Sequence, residues 1–173
     1  MIDRHLNAAQ VWPSAPACLL LDLRMPHECG LRLFNRLVER DLITVMPVIF
    51  LTGEGDIRTA VTALKQGAFD FVEKTFSSNQ LVDRIENALQ ESTRQIAQRR
   101  ARCAMSLRLA GLLPRERETI ELVLRGHMAK DIAERLGVGE GAVEMYRAAA
   151  LGKMSATTAL GLLAELRQLG FDF

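Results

Sequence analysis

The chain has little of what marks several large protein classes. Its cysteines, Cys18, Cys29 and Cys103, are odd in number and lack the spacing of metal ligands, so a reduced cytosolic setting fits them best. No run has the length of a membrane span or the character of a signal peptide, so we expect a cytoplasmic protein without a membrane partner. The sequence also lacks repeats, low-complexity tracts, a glycine-rich phosphate loop and a nucleophile–histidine constellation. We therefore expect no metabolic enzyme.

Charge is balanced overall but unevenly distributed. A net charge of +1 excludes an obviously polycationic protein. Residues 1–90 carry 9 basic and 11 acidic side chains, residues 91–111 carry 5 and 1, and residues 112–173 carry 8 and 9. The only basic block is therefore the segment in the middle. At 173 residues and 49% hydrophobic composition, the chain can bury the core of one ordinary domain or of two small ones.

Three short apolar runs in the first half each lead into a reactive side chain. The runs CLLLD, VIFLT and FDFVEK end at Asp22, Thr52 and Lys74, and helical patterns alternate with them. Such runs are typical of buried parallel strands. Because ligands bind at the carboxyl ends of parallel strands, we expect the carboxylate, the hydroxyl and the ammonium to converge on one pocket. A carboxylate there can accept a phosphoryl group, whose charge an ammonium can balance.

The spacing of these residues resembles that of response-regulator receiver domains. Thr52 and Lys74 follow Asp22 by the intervals that this family places between its phosphoacceptor and its conserved hydroxyl and lysine. The resemblance implies a flavodoxin-like parallel α/β sheet with strand order 2-1-3-4-5 and Asp22 at the end of the third strand. It also implies that Asp22 is the phosphoacceptor for a sensor histidine kinase, and that Thr52, Lys74 and the aromatic Phe71 are switch residues.

The sequence before Asp22 departs from the receiver pattern. Receivers hold Mg²⁺ with an acidic pair after their first strand, and the 21 residues before Asp22 are too few to contain that strand and its helix. Asp3 is the only acid near the N-terminus. Asp22 and the carbonyl of Arg24 remain as metal ligands, so we expect weak or absent Mg²⁺ binding and little phosphorylation of this chain alone. A natural truncation, an engineered one and a misplaced start codon all stay open.

Two departures from the receiver pattern each lead to a structural expectation. Without the first strand, the run ending at Asp22 becomes an open sheet edge, for which we expect a partner strand, a self-associated dimer or a rearranged domain. Receivers also place a cis proline after the lysine, whereas this chain has Thr75. A cis bond before a non-proline residue costs about 2.5–4 kcal/mol, so we expect a trans bond here and a misplaced Lys74 ammonium.

The second half resembles the LuxR/FixJ type of helix-turn-helix domain. The stretch from Leu112 to Met154 aligns with that pattern without gaps. Pro114 suits the first position of a helix, and Gly126 and Gly137 suit helix ends. We expect four helices, with Ile132, Ala133 and Leu136 on the inner face of the scaffold helix. Leu113 replaces the usual capping hydroxyl of the family.

The resemblance implies contacts with double-stranded DNA. Carried over by position, Val143, Glu144 and Arg147 would face the major groove, and Lys130 and Lys153 would bind backbone phosphates. Arg147 is the best base reader, because a guanidinium can bond guanine in bidentate fashion. At several positions where the family commonly has polar residues that contact DNA, this chain has other residues. These are Gly139, Gly141, Ala142, Tyr146 and Ala149. Near-neutral charge in this half also predicts weak binding by a monomer.

These observations predict an incomplete receiver domain over 1–90, a helical basic linker over 91–111 and a LuxR-type helix-turn-helix domain over 112–173. The favoured function is a two-component transcriptional regulator whose degenerate receiver acts through dimerisation, as a homodimer. The alternative is a protein-interaction module that no longer binds DNA or accepts phosphate. Binding of DNA by the purified chain would separate the two.

Overall fold

The computed structural model describes residue 13 and residues 15–25, 29–53 and 57–172. Asp3, the only acid near the N-terminus, lies outside this part of the chain. The chain divides into two compact units, Met1–Ala97 and Gln98–Phe173. None of the described helices is both long and apolar enough to cross a membrane.

The first unit contains a parallel sheet whose three described strands follow the order β1-β2-β3. They are β1 (Leu19–Asp22), β2 (Val48–Thr52) and β3 (Asp70–Glu73). Each matches one of the predicted apolar runs to within a residue. The middle strand has Val48, Ile49 and Phe50 fully buried, as expected of a parallel strand covered on both faces. The predicted receiver-like parallel sheet is thus confirmed.

Helices α1 (Gly30–Glu39) and α2 (Ile57–Lys65) alternate with the strands of this sheet. One stripe of α1 faces the core, where Phe34 and Leu37 are buried and Leu31 and Val38 pack beside them. The ring of Phe34 meets Phe50 of β2 edge-on, with centroids 5.2 Å apart. Aromatic pairs favour this arrangement, so it fixes α1 against the middle strand.

Helix α3 (Ser78–Ala110) runs without interruption through the segment predicted to be a linker. Ser92 is buried in the first unit, where its hydroxyl accepts a bond from the Ala17 N–H (3.1 Å) and donates one to the Val45 carbonyl (2.6 Å). Met105 is 1% exposed and lies in the core of the second unit. The helix thus covers the predicted segment as far as Ala110, and it also supplies buried side chains to each unit.

The second unit continues with four helices, as predicted. They are α4 (Pro114–Leu124), α5 (Ala129–Leu136), α6 (Glu140–Lys153) and α7 (Ala159–Gln168). Pro114 is the first residue of α4, and Gly137 ends α5 in the left-handed conformation (φ 65°) that favours glycine. The largest core cluster of the second unit includes Met105, Ile120 and Leu166.

Candidate functional site

The carboxylate of Asp22 and the ammonium of Lys74 meet at the carboxyl ends of β1 and β3. Lys74 Nζ lies 2.5 Å from Asp22 Oδ2, and the Arg24 backbone N–H donates to Asp22 Oδ1 at 3.0 Å. The hydrogen bond from Lys74, followed by that from Arg24, holds the pKa of Asp22 below its usual range. Both side chains are partly open to solvent. The structure thus brings together two of the three groups predicted to converge.

The prediction for the loop after β3 was half right. No described peptide bond is cis, so the Lys74–Thr75 bond is trans as expected. The expected displacement of the ammonium is wrong, because Lys74 reaches Asp22 directly. The backbone explains this, since the Lys74 N–H donates to the Thr52 carbonyl at 2.8 Å and so holds the loop against the end of β2.

Thr52 and Phe71 lie near this pair in the sheet but do not join it. Thr52 is buried, and its hydroxyl donates to the Val72 carbonyl at 3.5 Å, on the side of β3. Phe71 is partly buried and packs against the core of the first unit. The structure therefore gives Phe71 a packing role and turns the Thr52 hydroxyl toward backbone.

Gly30 is a residue of this site that the sequence reading missed. A Cβ at position 30 would stand 2.2 Å from the backbone oxygen of Asp22, closer than any real contact. The Gly30 N–H also donates to the Leu23 carbonyl at 3.2 Å. Only glycine therefore lets α1 begin directly behind the backbone of Asp22. A signal was available, because glycine is a poor helix former yet opens this helix.

The described residues do not fit Mg²⁺. Among them, no group of three histidine, cysteine, aspartate or glutamate side chains is placed to hold a metal ion. The predicted ligands are Asp22 and the carbonyl of Arg24, but Lys74 occupies one carboxylate oxygen and an N–H occupies the other. Each of these oxygens keeps a second lone pair, but a divalent ion prefers six oxygen ligands and finds no cluster of three ligating side chains among the described residues.

The second candidate region lies around α5 and α6. Ile132 and Ala133 of α5 are buried against Val143 of α6, and Leu136 packs beside them. The predicted inner face of the scaffold helix is thus confirmed. The prediction that Val143 faces a DNA groove is wrong, because its side chain is fully buried and joins the two helices.

The remaining predicted DNA contacts are on the surface, with different partners. Arg147 pairs with Glu144 one turn earlier, at 3.4 Å, and both border a cavity of about 260 Å³. Lys130 is exposed on the first turn of α5. Lys153 instead pairs at 2.7 Å with Glu116, a nearly buried carboxylate.

Glu116 replaces the missing hydroxyl cap of α4. Its carboxylate accepts a hydrogen bond from the Leu113 N–H at 2.8 Å, which satisfies one backbone donor at the start of the helix. The bond from Lys153, followed by that from Leu113, lowers the pKa of Glu116. Lys153 is therefore part of the internal bonding of the second unit.

The outward face of α6 contains residues that the sequence reading passed over. Val143 and Ala150 are buried, and the residues on the opposite side of the helix are exposed. These are Gly141, Glu144, Met145, Ala148 and Gly152. The helical period, counted from the two buried positions, would have identified this face.

Comparisons with known proteins agree with both halves. Residues 3–86 match the response regulator receiver domain, and residues 110–163 match the luxR family of bacterial regulatory proteins. The chain is 46% identical over 146 residues to the C4-dicarboxylate transport transcriptional regulatory protein DctR of Rhodobacter capsulatus, covering 84% of this chain and 74% of DctR. It is 39% identical over 161 residues to the transcriptional regulatory protein FixJ of Azorhizobium caulinodans, covering 91% and 75%.

The fold is also similar to that of a solved structure. The response regulator StyR is similar with a TM-score of 0.80 at 30% identity, over 97% of this chain and 83% of that one. Sequence and fold therefore lead to the same assignment: the chain belongs to the FixJ-like response regulators, which join a receiver domain to a LuxR-type DNA-binding domain.

Proposed function

We propose that this chain is a DNA-binding transcriptional regulator of the two-component type, with a degenerate receiver that acts mainly through dimerisation. The carrying observation is the packing of α5 against α6, which buries Val143 and presents the opposite face of α6 to solvent. A helix presented in this way fits the major groove of duplex DNA. The relatives DctR and FixJ are transcriptional regulatory proteins by name, which supports the same reading.

Two surface cations support contact with the DNA backbone and bases. Lys130 is exposed at the start of α5 and is free to meet a phosphate. Arg147 can exchange its Glu144 partner for a phosphate or a base edge, because that pair is exposed and therefore weak. Lys153 is a poorer phosphate ligand, since leaving Glu116 would strand a nearly buried carboxylate.

Charge favours binding by two copies over binding by one. Residues 112–173 carry 8 basic and 9 acidic side chains, so a single second unit attracts the phosphate backbone weakly. A homodimer on paired half-sites doubles the available contacts. In the first unit, β1 pairs only with β2 among the described strands, and an edge strand of this kind is suited to association with a second copy.

We propose that Asp22 is a poor phosphoacceptor in this chain. Its position supports descent from an acceptor for a sensor histidine kinase, because it ends a strand beside Lys74. Phosphoryl transfer depends on neutralising developing negative charge, usually with a metal ion. Here the ammonium already occupies the carboxylate, and the Thr52 hydroxyl is bonded to backbone. The Thr52 hydroxyl has to turn away from the Val72 carbonyl before it can bond a phosphoryl oxygen, and among the described residues no cluster of three ligating side chains is placed to hold the metal ion.

Fluorescence anisotropy with DNA duplexes tests the DNA-binding half of this proposal. Duplexes selected by the purified chain from a random library should bind, with affinity falling steeply as salt is raised from about 50 to 200 mM. Arg147→Ala should weaken binding, whereas Arg115→Ala on α4 should not. If the chain raises the anisotropy of no duplex at low salt, the regulator hypothesis is wrong.

Light scattering tests the receiver half. The chain should be dimeric at micromolar concentration, and its mass should stay the same after treatment with acetyl phosphate and Mg²⁺. Phosphorylation of Asp22 on intact-protein mass spectra, together with a change in mass in solution, would contradict the degenerate receiver.

One observation favours the alternative of a protein-interaction module. Two of the predicted DNA-contacting cations, Arg147 and Lys153, are engaged with carboxylates of this chain. A chain that binds no duplex but forms a stable complex with a purified receiver or sensor kinase would support this function instead.

A further inference from the structure

We propose that Met145 is the base-reading side chain of α6 and that it selects thymine by contact with the 5-methyl group. This inference deepens the proposed DNA binding and depends on it. It assigns the main sequence preference to an apolar residue in place of Arg147, the residue that the sequence favours.

The position of Met145 follows from the packing of α6. Val143 and Ala150 point into the core, and Met145 lies on the opposite side with 60% of its surface exposed. The outward face extends from Gly141 to Gly152, a length of about 16 Å at the rise of an α-helix. Met145 stands in the N-terminal half of this face, where a helix that enters the major groove contacts the bases.

The neighbours of Met145 make it the longest apolar group on this face. Gly141 precedes it by one turn, Ala148 follows by one turn, and neither carries a polar side-chain atom. Gly141 and Gly152 carry no side chain, and no described atom lies within 4 Å of where a Cβ would stand at either position, so the helix backbone can come close to the base edges there. Met145 would then extend furthest into the groove.

The charged neighbours are less suited to reading bases. The carboxylate of Glu144 is repelled by phosphate and is held by Arg147 at 3.4 Å. Arg147 lies beside the cavity between α5 and α6, together with His127 and Ala129, and is less exposed than Met145. A guanidinium at this border of the face suits a phosphate or the edge of the site better than its centre.

The chemistry of the side chain identifies the base. A thioether is at most a weak acceptor, so Met145 cannot read the hydrogen-bonding pattern of a base pair. The one apolar mark in the major groove is the 5-methyl group of thymine. The unbranched and flexible Met side chain can adapt its shape to that methyl group.

The test removes only this methyl group from the DNA. Duplexes selected from a random library by the full chain are resynthesised with uracil in place of each thymine in turn, which leaves base pairing unchanged. For one thymine we expect about a fourfold loss of affinity, the effect of one buried methyl group. The Met145→Ala variant should bind the duplex with that thymine and the duplex with uracil in its place equally well.

Three variants separate the inference from its alternatives. Met145→Leu should keep the preference for thymine, and Met145→Gln, of similar length but polar, should lose it. Leu107→Ala, an exposed apolar residue of α3, is the matched control and should behave as the unaltered chain. Circular dichroism checks that every variant remains folded.

The possible failures are distinct. If the unaltered chain binds no duplex, the proposed function fails and the inference with it. If the chain binds DNA but no thymine is preferred over uracil, or if Met145→Ala and Met145→Gln keep the preference, the inference alone is overturned.

Discussion

Among the described residues, a lysine and a carboxylate form a close pair in each unit, and the two pairs differ in burial. Lys74 and Asp22 are 2.5 Å apart at the sheet edge of the first unit, where the carboxylate side chain is 31% exposed. Lys153 and Glu116 are 2.7 Å apart in the second unit, where the carboxylate is only 6% exposed. In both, the lysine lowers the pKa of its partner.

This difference separates a replaceable contact from a structural one. Water can solvate Asp22 if Lys74 leaves, so the exposed pair contributes little to stability and its members remain available to other ligands. Water reaches Glu116 poorly, so removal of Lys153 leaves a carboxylate without its counter-charge. Equal chemistry at nearly equal distance can therefore have different functions, and burial decides between them.

Apolar residues should show the largest difference in the free energy of unfolding between a buried and an exposed position. Met105→Ala should lower the free energy of unfolding of the second unit by about 2–5 kcal/mol, because it removes a side chain that the core encloses. Met128→Ala, with 75% of that residue exposed, should change it by less than about 0.5 kcal/mol. Hydrogen exchange on peptides from each unit of the full chain measures the two effects. Equal losses would show that Met105 is not a core residue.

The two ion pairs should differ next. Asp22→Asn should change the stability of the first unit by no more than about 1 kcal/mol, as for other exposed pairs. Glu116→Gln should destabilise the second unit by more than that, since it removes the partner of Lys153 and weakens the bond to the Leu113 N–H. Urea denaturation with exchange readout in each unit checks the order. A larger loss from Asp22→Asn would reverse the comparison.

Acid should remove the contribution of both pairs. The folded pKa values of Asp22 and Glu116 lie below the usual ones, so the charged forms stabilise the fold at neutral pH. This stability is present above the ordinary carboxyl pKa values and is lost as pH falls through the lower pKa values of the folded state. The difference between Glu116→Gln and the unaltered chain should therefore shrink between pH 6 and pH 3 in denaturant titrations. A difference that grows toward pH 3 would contradict the sign of the shift.

Salt should separate the pairs as well, with a smaller effect. Screening acts on exposed charges more than on buried ones, so 1 M salt should weaken the Asp22–Lys74 pair and leave Glu116–Lys153 nearly unchanged. The same denaturation experiment at low and at high salt measures how much of the stability lost in each substitution depends on salt. A stronger salt effect at Glu116 would mean that this carboxylate is more accessible than its surroundings indicate.

The smallest expected effect concerns an exposed cation with no internal pairing role. Lys130→Ala should reduce the slope of log affinity against log salt by about 1, without changing which duplexes are preferred. Anisotropy titrations at several salt concentrations measure the slope, with Arg115→Ala as the control on α4. A changed sequence preference would assign Lys130 to base contact instead.

Much of the fold could be predicted because local patterns and chain spacing both determine it. The apolar runs before Asp22, Thr52 and Lys74 locate the three described strands, and their order places the chemistry at one edge of the sheet. Gly137 and Pro114 mark a helix end and a helix start by backbone conformation alone. These signals depend on neighbouring residues, which a single sequence contains.

The direction of individual side chains could not be predicted in the same way. Lys153 and Glu116 are 37 positions apart, so no local pattern links them. Val143 was assigned to the groove by its position in the family pattern, although the helical period places it on the buried face of α6, opposite Met145. The buried position of Met105 depends on helices that follow it in the chain, and the orientation of the Thr52 hydroxyl depends on a carbonyl of the next strand.

The absence of a side chain at Gly30 has a consequence for how this receiver can diverge. A single added carbon would strike the backbone of Asp22, although position 30 carries no charge and touches no polar side chain of the pair. Substitutions at Lys74 or Thr52 would alter the surroundings of the Asp22 carboxylate, whereas any substitution at position 30 would displace the backbone of Asp22 itself. The backbone of Asp22 therefore confines position 30 to glycine, whatever polar residues surround the carboxylate.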